Sequence, residues 1–166
     1  MSHKILISVG SNINKQKNTR SGLQSLYEQF TQMTLSTIYE SESVGFEGNN
    51  FLNLVVQANT TLSISAVCAR LKSIENEHGR VRDKKFGNRT LDLDLLTYDD
   101  VVCSEPITLP RGEIEYNAFV LQPMAELAPH DIHPVTGQSY ADMWQNYTNE
   151  NQRLWPSGMQ WSPATT

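Results

Sequence analysis

Leucine and aspartate alternate between Leu91 and Leu95, and this short run limits what the chain can fold into more than any other feature. The alternation predicts a β-strand with one apolar face, because successive side chains of a strand point to opposite sides. Residues two apart point the same way, with Cα atoms about 6.6 Å apart. Asp92 and Asp94 are therefore predicted to project together, which is unfavourable for two like charges unless a cation lies between them.

A divalent metal would relieve this repulsion. Mg²⁺ is the hard cation that fits oxygen ligands of this kind, and two metal ions about 3.5–4 Å apart would match the separation of the two carboxylates. Arg80, Arg82 and Arg89 belong to the loop that is predicted to precede the strand. Carboxylates for Mg²⁺ beside arginines for phosphate oxygens are what phosphoryl transfer from ATP requires. These arginines disfavour the plainer alternative, a solvated polar strand face.

The pattern of apolar residues predicts the order β-α-β-β-α-β, followed by additions. In chain order, the predicted strands and helices lie at 4–9, 15–30, 35–41, 51–61, 64–78 and 91–98. Ser63 is predicted to cap the second helix, and Gly79 to follow its end. This order is the ferredoxin-like arrangement, an α+β fold in which an antiparallel sheet carries helices on one face. Because many unrelated functions occur on that fold, the function has to be argued from a site.

The chain continues beyond these six elements. We predict a short hairpin near 101–109, a helix at 117–127 and a short helix near 139–146. A length of 166 residues suits one domain. We expect residues 1–148 to form this single domain and residues 149–166 to be an irregular C-terminal tail.

The net charge of −5 argues against general nucleic-acid binding, which needs a basic surface. The average conceals a local reversal, because residues 70–90 hold seven lysines and arginines against three acidic residues. A small basic region on an acidic protein suits a compact anion, such as a nucleotide triphosphate, better than a duplex backbone. A solvated basic loop is the alternative.

Other classes of protein are disfavoured by what the sequence lacks. No apolar run approaches the ~18 residues of a membrane span, and the run at 5–9 is too short for a secretory signal. We therefore expect a cytoplasmic protein with no membrane partner. Cys68 and Cys103 lie far apart without metal-ligand spacing and are expected to be reduced thiols. Neither a P-loop nor a G-x-G-x-x-G motif occurs.

Several segments together are similar to one known family. They are Val9-Gly10-Ser11-Asn12, Phe51-Leu52-Asn53, Gly79-Arg80-Val81-Arg82, Gly87-Asn88-Arg89-Thr90-Leu91-Asp92-Leu93-Asp94 and Phe119-Val120-Leu121-Gln122-Pro123-Met124. With these motifs, the chain resembles the 6-hydroxymethyl-7,8-dihydropterin pyrophosphokinase family over residues 5–130. The resemblance implies a ferredoxin-like fold and a folate-pathway enzyme. Such an enzyme moves a pyrophosphoryl group from ATP to the hydroxymethyl group of a reduced pterin, releases AMP and uses two Mg²⁺ ions.

The resemblance also implies which residues surround ATP. The positions that match nucleotide-binding positions of the family are Glu75, Arg80, Arg82, Arg89 and Thr108, to which we add Arg111. Asp92 and Asp94 would bind both Mg²⁺ ions, and Arg80 and Arg82 would lie on a loop that closes over the reactants. The residues implied to be catalytic are Arg80, Arg82, Arg89 and Asp94.

The pterin site is implied in the same way. Asn53 would bind the edge of the pterin through its amide, which offers both a donor and an acceptor. Phe119 would stack on the flat ring, and Phe86 would be the second stacking aromatic. Backbone groups around Ser41 and Val44 would complete the pocket.

Several positions differ from the pattern of that family, including the following three. Phe86 replaces a usual tryptophan, Arg111 a usual histidine and Asn117 a typical arginine. Arg111 is always charged and suits phosphate oxygens, so it could compensate for the missing arginine.

The differences leave two alternatives open beside the pyrophosphokinase. One is a divergent paralogue that binds pterin or nucleotide with weak or no turnover, and the other is an enzyme for a modified pterin. A nucleic-acid-binding domain would need exposed strand aromatics beside basic residues, which Asp92 and Asp94 oppose. We expect small-molecule substrates, no nucleic acid and a monomer.

Overall fold

An antiparallel sheet forms the centre of the protein in the computed structural model, which describes residues 1–42, 50–79, 90–149 and 152–164. The strands are β1 (His3–Ser11), β2 (Thr31–Leu35), β3 (Tyr39–Ser41), β4 (Phe51–Thr60), β5 (Asp92–Tyr98) and β6 (Leu154–Pro156). The helices are α1 (Lys15–Gln29), α2 (Ile64–Glu77), α3 (Glu113–Tyr116), α4 (Ala118–Leu127) and α5 (Tyr140–Gln145). None of the helices in these ranges has the length and apolar composition that a membrane span needs.

The strand order is β5-β1-β4-β3-β6, and β2 also pairs with β4. The two central strands, β1 and β4, pair with each other, and Gly10 of β1 lies opposite Asn53 of β4. On its other side β1 pairs with β5, so that Ser8 lies opposite Asp94 and Gly10 opposite Asp92. The predicted ferredoxin-like α+β fold is confirmed.

The predicted strand at 35–41 is wrong in one respect, because the structure has two strands there. Ser36 separates them: its backbone N–H donates to Val55 O, and its hydroxyl accepts from Val55 N at 3.0 Å. Gln32 has a positive φ of 53°, and the register of β2 shifts between Thr31 and Thr34. The side-chain hydroxyl thus takes over a hydrogen bond that a continuous strand would make with its backbone.

Apolar side chains form a core on each face of the sheet. Ile5, Ile7 and Val9 of β1 belong to the larger cluster, which includes residues of α1 and α2. Leu6 lies on the other face, in a second cluster with residues of α4 and α5. The prediction of helices on one face is therefore incomplete, since the C-terminal additions cover the second face.

A β-bulge interrupts the pairing of β5 with β1. Ile7 pairs with Leu95 but Leu6 pairs with Thr97, so Leu96 has no Cα partner in this register. Leu95 belongs to the larger core and Leu96 to the second core. The bulge explains why Leu95 and Tyr98, three residues apart, both lie in the larger core.

The C-terminal segment differs from its prediction. An irregular tail was expected over 149–166, but β6 pairs antiparallel with β3 within it. Ser157 N also donates to Ile38 O at 3.0 Å, and Trp161 packs against the larger core. A three-residue edge strand that ends in a proline has almost no signal in a sequence, because its formation depends on the strand it meets. The boundary of the domain at 148 stays a prediction.

Both cysteines are free, as predicted, and both are half-buried. Each packs against the larger core from its edge. Burial raises the pKa of the Cys68 thiol, which keeps it protonated.

His133 is buried in the loop after α4, with 1% of its surface exposed. Its Nδ1 accepts hydrogen bonds from Val135 N at 3.2 Å and Thr136 N at 3.1 Å. Both partners are donors, so Nδ1 is deprotonated and the neutral ring carries its proton on Nε2. Burial lowers the pKa of His133, although the charge of Glu115 acts in the opposite direction.

We expect His133 to make the folded state less stable in acid. Because its pKa is lower in the folded than in the unfolded chain, its contribution is complete above about pH 6.5 and is lost as the pH falls below that value. Denaturant unfolding between pH 7.5 and 5.5 measures this loss. His133→Gln should reduce the slope of unfolding free energy against pH, whereas His130→Gln, at an exposed position, should retain it. Equal slopes for the two variants would contradict this role.

Candidate active site

A cavity of about 380 Å³ lies on the α4 side of the sheet, where polar residues continue the rows of the second core. Ser8 and Gly10 follow Leu6 along the same face of β1, and Asp92 and Asp94 share their face of β5. The lining residues are Ser8, Val9, Gly10, Ser41, Glu42, Phe51, Asn53, Asp92, Asp94, Arg111, Glu113, Asn117, Phe119 and Val120. Polar strand ends beside apolar core thus create a pocket rather than more core.

Asp92 and Asp94 both line the cavity, as the alternation of leucine and aspartate predicts. Their backbone positions lie opposite Gly10 and Ser8, which bring no further charge. The Asp94 side chain is 41% exposed, so its carboxylate is open to a ligand in the pocket. Among the described residues, no group of three or more His, Cys, Asp and Glu side chains could hold a metal.

A buried carboxylate lies behind the acid pair. Glu75 is 7% exposed near the end of α2, and its Oε2 accepts a hydrogen bond from Leu93 N at 2.8 Å. Leu93 separates the two aspartates in sequence, and its side chain is in the larger core. Glu75 therefore ties α2 to the acid-bearing part of β5. It is not among the described residues that line the cavity, and its predicted place in the ATP site stays a prediction.

Arg111 places a guanidinium in the cavity. Its backbone N–H donates to the carbonyl of Leu96, the bulged residue, at 3.0 Å. Its Nη2 lies 3.6 Å from Asp94 Oδ1, and its Nε donates to Glu113 Oε2 at 2.9 Å. Burial works against the charge of Arg111, but Asp94 and Glu113 outweigh burial and raise its pKa. The cation thus stays charged beside the acid pair.

Asn53 and Ser41 form a polar wall of the cavity. Asn53 is buried, and its Nδ2 donates to Ser41 Oγ at 2.5 Å. A Cβ at Gly10 would lie 3.2 Å from Asn53 Oδ1, closer than side chains usually approach. The glycine therefore gives the Asn53 amide room to lie against β1.

Phe119, in the first turn of α4, lines the cavity and is half-buried. The structure thus brings together six predicted residues: Ser41, Asn53, Asp92, Asp94, Arg111 and Phe119. Thr108 is exposed and does not belong to the described lining. Five further predicted residues lie outside the described ranges: Val44, Arg80, Arg82, Phe86 and Arg89.

Some lining residues had no role in the sequence prediction. Phe51 lies two residues before Asn53 on β4, and both line the cavity. The period of two along a strand would have indicated Phe51. Glu113 gives no such signal, because its place follows from the ion pair with Arg111 rather than from a periodic pattern.

The chain matches a family model over residues 6–129, under the description 7,8-dihydro-6-hydroxymethylpterin-pyrophosphokinase (HPPK). The match includes both aspartates, Asn53, Arg111 and Phe119. This chain belongs to the HPPK family. Residues beyond 129 lie outside the match, so that α5 and β6 are additions to the part that matches the family model.

Relatives of the HPPK chain include proteins named 2-amino-4-hydroxy-6-hydroxymethyldihydropteridine pyrophosphokinase. The Aquifex aeolicus protein is 33% identical over 134 residues, which cover 79% of this chain and 84% of that protein. The Bacillus subtilis protein is 33% identical over 132 residues, which cover 76% and 79%. The folic acid synthesis protein fol1 of Schizosaccharomyces pombe is 32% identical over 156 residues, or 91% of this chain but only 21% of fol1.

Solved HPPK-DHPS structures share the fold. One, in complex with substrates, has a TM-score of 0.71 and 12% identity, and the likeness covers 87% of this chain and 43% of that chain. The Plasmodium falciparum HPPK-DHPS with pteroate has a TM-score of 0.71 and 9% identity, with 87% and 42% covered. This chain therefore spans less than half the length of those proteins, and at such identities the likeness concerns the fold alone.

Glu75→Leu should destabilise the HPPK chain by about 1–3 kcal/mol, because it leaves the buried Leu93 N–H without this acceptor. Glu75→Gln keeps an acceptor of similar size and should cost less. Chemical denaturation measures both changes. Glu77→Leu, two residues later at an exposed position, is the control and should change stability little. A Glu75→Leu variant as stable as that control would contradict the role of the Glu75–Leu93 hydrogen bond.

Proposed function

We propose that this chain transfers a pyrophosphoryl group from ATP to 6-hydroxymethyl-7,8-dihydropterin, giving AMP and the pterin diphosphate of folate biosynthesis. The observation that carries the proposal is one cavity that contains both the acid pair and the Asn53–Phe119 region. Membership of the HPPK family supports it. Transfer between two bound molecules requires such a shared cavity, because the reacting atoms must meet in a fixed orientation.

The flat, apolar part of the cavity suits a pterin ring. Phe119 and Phe51 supply aromatic surface on which a ring can pack. The Asn53 amide, oriented by its hydrogen bond to Ser41, has further donor and acceptor capacity for the polar edge of a pterin. Val44 and Phe86 complete this site in the proposal.

The acid pair suits Mg²⁺. This cation commonly binds through one or two carboxylates together with substrate phosphates, rather than through a cage of protein ligands. Two half-exposed aspartates on one face fit that pattern. In the proposal Asp92 and Asp94 hold two Mg²⁺ ions, which when bound neutralise the triphosphate and orient the reacting oxygens.

The charges that line the cavity also limit the form in which ATP can bind. Among the described lining residues, four carboxylates face one guanidinium: Glu42, Asp92, Asp94 and Glu113 against Arg111. Such a surface repels a bare triphosphate, so ATP should bind only as its Mg²⁺ complex. Arg80, Arg82 and Arg89 add positive charge for the phosphate oxygens in the proposal, and Glu75 and Thr108 lie towards the nucleotide.

The chain's own part in the reaction is positioning and charge. Phosphoryl transfer passes through a loose transition state whose charge is spread over oxygens, and it needs oriented reactants and cations more than a base. In the proposal Arg111 binds a phosphate oxygen, and its long ion pair with Asp94, at 3.6 Å, leaves donor capacity for that contact. We assign no general base, and in the proposal Asp94 or its metal-bound neighbour could assist.

Asp94→Ala should lower Mg²⁺-dependent AMP formation about a hundredfold or more, because it removes half of the metal-binding pair. AMP release from ATP and the dihydropterin measures the change. Circular dichroism checks that the variant folds, and Asp100→Ala, at an exposed position, is the matched control. Undiminished turnover in Asp94→Ala would refute the metal role.

Arg111→Gln should raise the KM for MgATP about tenfold or more, since a hydrogen bond to a charged group contributes about 1.5–3 kcal/mol. Steady-state kinetics with varied ATP measure the effect. Arg70→Gln removes an exposed arginine outside the cavity and should leave the KM unchanged. Identical values for the two variants would mean that Arg111 does not bind phosphate.

A paralogue that binds without turnover is the second candidate. Asn117 lines the cavity at a position where the family typically has an arginine. The Asn117 Oδ1 accepts a hydrogen bond from Gln152 Nε2. Glu113 also holds part of the Arg111 guanidinium. Calorimetric binding of pterin and an ATP analogue without AMP release would favour this candidate over the pyrophosphokinase.

A further inference from the structure

The N-terminus of α4 is capped in an unusual way. Asn117 occupies the N-cap position, yet its side chain makes no capping hydrogen bond. Asparagine is among the best N-cap residues because its side-chain oxygen normally accepts from the first turn of its own helix. Here the Asn117 Oδ1 accepts instead from Gln152 Nε2 at 3.1 Å.

Gln152 itself supplies the missing cap. Its Oε1 accepts a hydrogen bond from Ala118 N at 2.6 Å, so one of the unpaired N–H groups of α4 is satisfied from a distant part of the chain. Tyr147 reinforces this contact, because its hydroxyl donates to Tyr116 O at 2.6 Å and lies 3.2 Å from Gln152 Oε1. A single side chain thus fixes both Asn117 and the start of α4.

The same stretch of chain reaches another part of the cavity. Two residues after Gln152, Leu154 pairs with Ser41 across β6 and β3. The Ser41 hydroxyl in turn accepts from Asn53. Residues 152–156 therefore connect the polar wall, Ser41 and Asn53, with the α4 region of the lining.

We infer that residues 152–156, outside the family match, hold the ring-binding part of the cavity in shape, and that Gln152 is a positioning residue for Phe119. The inference rests on the proposed function, because it assigns the pterin to this end of the cavity. Phe119 follows Ala118 directly, so the hydrogen bond from Ala118 N fixes the backbone from which the ring projects. The acid pair and Arg111 are anchored separately, by Glu75 and the Leu96 carbonyl.

The test compares three variants by steady-state kinetics and thermal unfolding. Gln152→Leu removes the hydrogen bonds to Asn117 and Ala118 but keeps a side chain of similar size. Gln152→Glu retains an acceptor for Ala118 N. Ser63→Ala removes a cap from α2, far from the cavity, where Ser63 Oγ accepts from Ala66 N at 3.2 Å. Ser63→Ala is the matched control for Gln152→Leu, because it also removes the side-chain cap of one helix.

Gln152→Leu should raise the KM for the dihydropterin about five- to tenfold. This factor corresponds to roughly 1 kcal/mol, the free energy that one helix cap typically contributes. The KM for MgATP should change less than about twofold, within the scatter expected of distant sites. Gln152→Glu should restore the pterin KM, and Ser63→Ala should lower the melting temperature without raising either KM. Equal increases for both substrates, or a pterin KM no higher than that of Ser63→Ala, would overturn the inference.

Failure of the proposed function gives a different result. If the unaltered chain releases no AMP, the pyrophosphokinase proposal fails, and calorimetric titration with the dihydropterin then tests Gln152 directly. Weaker pterin binding in Gln152→Leu than in Ser63→Ala supports the positioning role without turnover. No pterin binding by the unaltered chain overturns both proposals.

Discussion

Repulsion between Asp92 and Asp94 is the constraint on which the arrangement of the cavity depends. Two carboxylates on one face of a strand repel each other, and the surrounding residues limit this cost. The opposite positions on β1 are an uncharged serine and a glycine, and Arg111 lies beside Asp94. Glu75 holds the intervening backbone from the other face of the sheet. The acids can therefore stay close together without disturbing the strand that presents them.

Much of the fold could be predicted because burial acts on one face of each element. The period of two along 91–95 is enough to predict β5 and the common face of its acids, and the capping serine and the terminal glycine bound α2 closely. The division between β2 and β3 could not be predicted, since it depends on a hydrogen bond that Ser36 Oγ accepts from Val55 N, 19 residues later in the chain. The same reason applies to β6, which exists only through its pairing with β3.

The candidate site was predictable to the extent that its residues stand in motifs. Asp92 and Asp94 were predicted from the alternation of leucine and aspartate, Asn53 and Phe119 from a family resemblance, and all four line one cavity. Glu113 and Gln152 were not, because neither belongs to a motif: Glu113 holds the guanidinium of Arg111, and Gln152 caps a helix that begins 34 residues earlier. Side chains that position other side chains have no residue type or spacing of their own.

The bulge at Leu96 has a consequence for changes in the length of β5. Sheet faces alternate strictly, so the loss or gain of one residue normally inverts every position of a strand that follows the change. Here the bulge resets that alternation, with Leu93 and Leu95 before it and Tyr98 after it all in the same core. A length change on the C-terminal side of Leu96 would leave the orientation of the acids intact, whereas one between Asp92 and Asp94 would turn one of them towards the core. The cavity therefore constrains the length of the acid-bearing half of the strand more than that of the other half.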